Sequence, residues 1–94
     1  AYLFHLIESM TAAGVTAGLS PALSEKLARQ TVIGAAALAD NQSSISAATL
    51  RQNVTSPGGT TAAALTILMA PDTGLTPLLT TAILAARERS AELG

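Results

Sequence analysis

The sequence predicts an all-α protein of about five helices, on three observations. Apolar residues recur at three- and four-residue spacing; Ser-Pro, Pro-Gly-Gly and Pro-Asp-Thr-Gly clusters punctuate those runs; and no segment alternates polar and apolar residues long enough to make a strand. Thr31 to Ile33 comes nearest to one, through its β-branched residues.

Leu3, Phe4, Ile7, Met10 and Ala13 or Gly14 share one face of a helix from Tyr2 to about Thr16, which Gly18 and Leu19 end. Ser20-Pro21 opens the next helix, because the Ser hydroxyl can accept from an orphan amide and Pro loses no hydrogen bond at the first helical position. This helix runs to about Asp40 with Leu23, Leu27, Val32, Ile33 and Leu38 on its apolar face, and Gly34 to Ala37 leaves room for another backbone. It is expected to be the interior helix. Ser46 caps a short helix from about Ala47 to Asn53. A fourth runs from about Thr60 to Ala70, where Pro71 to Gly74 stop it. The last runs from about Thr76 to Leu93, with Leu78, Leu79, Ala82, Ile83 and Ala86 as its buried stripe. The charges of Arg87, Glu88, Arg89 and Glu92 read as a solvated face.

The 94 residues fit one domain, 1–94, and so short a chain buries a smaller share of its surface than a long one, which favours help from a partner chain. Five basic residues against six acidic ones leave a net charge of −1, with no basic stripe for nucleic acid or anionic lipid. Cysteine is absent, which excludes disulfides, thiolate metal sites and a cysteine nucleophile and agrees with a reducing, cytoplasmic setting. The longest apolar stretches, Val32 to Ala39 and Ala62 to Ala70, fall far short of the roughly 20 residues a membrane helix needs. Ala1 is neither an initiator Met nor the start of a basic signal region, so the chain is expected to be cut from something longer.

A self-contained hydrolase is not expected from a single His5, no cysteine and scattered acids. His5 and Glu8 lie three apart and can share a helix face, but two groups without a third ligand make a poor metal site, and a surface or interface pair is the ordinary reading. The informative stretch is Asn53 to Thr61, which sets two glycines and four hydroxyls immediately before an apolar helix. Glycine lets backbone amides turn inward, and the first amides of a helix have no internal acceptor, so their partial positive charge suits a carboxylate or phosphate. The same residues also suit an ordinary capped loop. Without the Lys of a P-loop, a nucleoside triphosphate fits poorly and a small carboxylate fits better.

Nearly the whole chain resembles the C-terminal domain of pyrroline-5-carboxylate reductases. The resemblance is carried by Ala1-Tyr2 with Phe4, Ala13-Gly14-Val15 with Gly18-Leu19, Gln30-Thr31-Val32 with Gly34-Ala35-Ala36, Arg89-Ser90 with Glu92-Leu93-Gly94 and, most specifically, Val54 to Thr61. It implies an interleaved helical homodimer, possibly within a higher oligomer, and NADPH or NADH held by a separate N-terminal Rossmann domain. It implies further that amides along Ser56 to Thr61, including those of Gly58, Gly59 and Thr60, receive the carboxylate of pyrroline-5-carboxylate or proline. Val54 would line the ring, and the Thr61 hydroxyl would bond the ring nitrogen as the one catalytic contact from this chain. His5 departs from the family pattern, where an apolar or small residue is expected. No G-x-G-x-x-G follows a strand, so no cofactor-binding residue is expected here, and the chain alone should be inactive. Two other readings stand beside this one: a noncatalytic helical interaction module, and the dimerisation domain of a related imine or keto-acid dehydrogenase.

Overall fold

A computed structural model describes all residues, Ala1–Gly94. It holds five helices and no strand: α1 (Tyr2–Thr16), α2 (Pro21–Asn41), α3 (Ala47–Asn53), α4 (Thr60–Leu68) and α5 (Leu75–Leu93). The expected all-α class and helix number are therefore observed. The chain divides into two compact units, Ala1–Leu50 and Arg51–Gly94, described in turn.

In the first unit, α1 ends in a Schellman motif. The Gly18 amide donates to Val15 O at 3.0 Å and the Leu19 amide to Gly14 O at 3.0 Å, while Gly18 takes φ +114°, a conformation open to residues without a Cβ. Ser20 then caps α2, its hydroxyl accepting from the Leu23 amide at 3.3 Å with Pro21 at the first helical position. α1 and α2 pack against each other through small residues. Ser24 and Ala28 are buried, and the Ser24 hydroxyl donates to Thr11 O of α1 at 2.7 Å.

Gly14 is the reason the helices come so close. A Cβ at Gly14 would collide with the Ser24 hydroxyl and lie 3.2 Å from Ser24 Cβ. Gly→Ala inside a helix ordinarily stabilises by about 1 kcal/mol, but overfilling a packed contact costs about 1–3 kcal/mol, and here the second term wins. Gly14→Ala is expected to destabilise by about 1 kcal/mol net in urea titration. In a Ser24→Gly background the same change is expected to stabilise, because neither Oγ nor Cβ remains to meet the new methyl.

In the second unit the chain folds from the last turn of α3 through the loop into α4 and α5. α4 stops at Leu68, two residues short of the expected Ala70. Pro71 disfavours helical geometry at Ala70, whose amide donates to Ile67 O at 3.2 Å in a tightened last turn. α5 starts one residue earlier than expected, at Leu75, with Pro77 inside the first turn, where a missing amide costs nothing.

The expected burial of α2 and α5 is not found within one chain. Leu23, Leu27, Ile33 and Leu38 of α2 and Leu78, Leu79 and Ile83 of α5 are all exposed, so α2 is not an interior helix here. Only small residues are buried, and no large side chain is fully enclosed. The apolar faces follow the sequence pattern and are exposed.

Candidate functional site

Two local devices hold the loop between α3 and α4. At its start, the Thr55 amide donates to Gln52 O at 3.1 Å and the Thr55 hydroxyl to Arg51 O at 2.6 Å, tying the chain to the last turn of α3. At its centre, Ser56 to Gly59 form a turn closed by Gly59 N to Ser56 O at 3.0 Å. Pro57 sits at its second position and Gly58 at its third with φ +71°, the pattern of a type II turn, which needs glycine there for its backbone conformation. At Gly59 the constraint is space instead, since a Cβ would lie 3.2 Å from Ser56 O, a tight contact that the turn would have to relax to admit.

Gly59 then starts α4, its carbonyl accepting from Ala63 at 3.1 Å, with no side chain capping the first turn. The amides of Thr60, Thr61 and Ala62 thus have no intrahelical acceptor and carry the positive end of the helix dipole. Of the amides expected along Ser56 to Thr61, Pro57 has none and that of Gly59 is committed to the turn. Ser56, Gly58, Thr60 and Thr61 keep theirs free of backbone acceptors. No charged side chain lies between Asn53 and Thr61, and the peptide dipoles at the head of α4 suit an anion.

The hydroxyls divide the same way. Thr11, Thr31, Thr66, Thr80 and Thr81 each donate to the carbonyl four residues earlier, and Thr55 does likewise at the end of α3. Thr60 and Thr61 stand at the first two positions of α4, where four residues back is loop, not helix, and with Ser56 they keep their hydroxyls free of intrachain partners. The sequence reading groups Thr55 with these three; its engagement with Arg51 O sets it apart, and a Thr directly after a helix is the sequence sign of it.

Val54 is 65% exposed, and Ser56, Gly58, Thr60 and Thr61 are exposed as well. The expected binding residues are therefore gathered on one loop, and within this unit they form a floor without walls. Elsewhere, His5 Nδ1 lies 3.2 Å from Glu8 Oε1 on exposed side chains, and no group of three or more potential ligands converges to hold a metal ion. No helix is long and apolar enough to cross a membrane.

Helices α1, α2, α4 and α5, which expose large apolar residues, and a loop presenting free amides and hydroxyls at a helix start, define a helical association domain carrying an anion-suited loop. The chain belongs to the pyrroline-5-carboxylate reductase dimerisation family, whose model matches residues 1–93. It is 45% identical over 93 residues to a pyrroline-5-carboxylate reductase of Pseudomonas aeruginosa, covering 99% of this chain and 33% of that protein. To the enzyme of the same name from Synechocystis it is 42% identical over 94 residues, covering 100% of this chain and 34% of the relative. A soybean (Glycine max) relative of that name is 42% identical over 93 residues, 99% of this chain and 33% of its own. The chain spans about a third of the length of these relatives.

Proposed function

We propose that residues 1–94 act as a single dimerisation and substrate-binding domain of a cytoplasmic NAD(P)H-dependent reductase that converts pyrroline-5-carboxylate to proline. The observation that carries the reading is the turn at Pro57-Gly58, which leaves the Ser56, Gly58, Thr60 and Thr61 amides and three hydroxyls without intrachain partners at the head of α4. The amides receive the substrate carboxylate, Val54 lies along the ring, and the Thr61 hydroxyl faces the ring nitrogen.

The residues present do not fit a dinucleotide: there is no strand and no G-x-G-x-x-G turn. The cofactor would be a nicotinamide dinucleotide held outside these residues, and its chemistry would be that of a hydride donor. What this chain contributes is position, and a hydroxyl at the nitrogen whose basicity rises as the double bond is reduced. A threonine hydroxyl is too weak an acid to be the final proton source near neutral pH, so Thr61 orients the imine or relays a proton from water.

The test is steady-state reduction of pyrroline-5-carboxylate, compared with other cyclic imines and keto acids, by the protein from its complete reading frame. Turnover confined to another imine or keto acid would replace the substrate, and no turnover would favour a noncatalytic interaction module.

The exposed faces of α2 and α5 support a homodimer through the helices. Light scattering on the purified protein is expected to give twice the chain mass or a multiple of it, and a stable, cooperatively unfolding monomer would remove this part of the proposal.

A further inference from the structure

We propose that Thr55 is a positioning residue of the substrate-binding loop, acting through the backbone of α3 and not by touching substrate; this rests on the function proposed above. Arg51 O lies in the last turn of α3, where carbonyls lack helical donors. The Val54 amide reaches it at 3.3 Å, while the Thr55 hydroxyl reaches it at 2.6 Å and is the shorter contact. With its own amide on Gln52 O at 3.1 Å, Thr55 holds the loop to α3 by two bonds, one residue before the turn that presents Gly58. It is also half-buried, whereas Ser56, Thr60 and Thr61 are exposed.

Its hydroxyl is thus already engaged in the free chain, and the work it does is to fix where Ser56 O lies. Ser56 O accepts from Gly59, and Gly59 O receives the first bond of α4. A displaced Thr55 therefore shifts the turn and the head of α4 together. Without the anchor, substrate binding would have to order the loop as well as contact it, so affinity for the carboxylate falls while the cofactor's does not.

The experiment compares Thr55→Val, which keeps the shape and loses the hydroxyl, with Thr55→Ser, which keeps the hydroxyl, in the complete protein. Thr55→Val is expected to speed amide exchange at Gly59 about fivefold and to raise the KM for pyrroline-5-carboxylate by a similar factor. The KM for the nicotinamide cofactor should not change, and Thr55→Ser should restore both altered values. Unchanged exchange and an unchanged substrate KM in Thr55→Val would overturn the proposal, as would equal rises in both KM values. If exchange responds while the wild-type protein reduces no pyrroline-5-carboxylate, the anchor stands as a loop device and the substrate assignment falls.

Discussion

Thr61→Val is expected to lower kcat/KM for pyrroline-5-carboxylate by about thirtyfold in the complete protein, mostly in kcat. Valine has the shape of threonine without the hydroxyl, so α4 and the amides at its head remain. A hydrogen bond to a nitrogen gaining basicity is stronger in the transition state than in the bound imine. Its removal therefore slows turnover more than it weakens binding. Thr61→Ser keeps the hydroxyl and should retain most of the activity. Steady-state kinetics on the two variants checks this, and an active Thr61→Val protein would show that the ring nitrogen draws its partner from elsewhere. The neighbouring Thr60→Val change is the natural comparison, because its amide, and not its hydroxyl, is assigned to the carboxylate.

Gly74→Ala is expected to be the most damaging single methyl in the chain, at about 3 kcal/mol or more. Gly74 is buried between the end of α4 and the start of α5, its amide donating to Ala70 O at 2.9 Å. A Cβ there would lie 2.5 Å from the carbonyl oxygens of both Leu68 and Ala70, and 2.7 Å from Ala70 N. All three atoms are backbone, so no rotamer change relieves the clash; the turn itself must open. Its φ of −77° is ordinary for any residue, so the requirement is for space alone. By the usual scaling for small domains, thermal unfolding should fall by roughly 15 °C. A near-native melting temperature would mean that the α4–α5 connection is free to move.

Local chemistry made most of the fold legible before any coordinates. Ser20 and Ser46 cap the helices that follow them, through the Leu23 amide at 3.3 Å and the Thr49 amide at 3.2 Å. Pro71 and the Pro57-Gly58 turn stop or start helices by rules that act within a few residues. The one boundary off by two residues, at the end of α4, reflects the reach of Pro71 back onto Ala70. The free amides of the candidate loop were legible for the same reason, because a glycine turn before a helix creates them wherever it sits. The substrate proposed for it was not legible from these residues alone, which suit other small anions, and the proposal draws on resemblance to a family.

The sequence by itself determined the five helices, their apolar faces and an anion-suited loop, because caps, turns and periodicity are properties of neighbouring residues. Tertiary structure alone decided two further things. It brought Ser24 against Gly14 across two helices. It also left Leu23, Leu27, Leu78 and Ile83 in solvent. A hydrophobic pattern states that a face must be covered, whereas which surface covers it depends on contacts between segments.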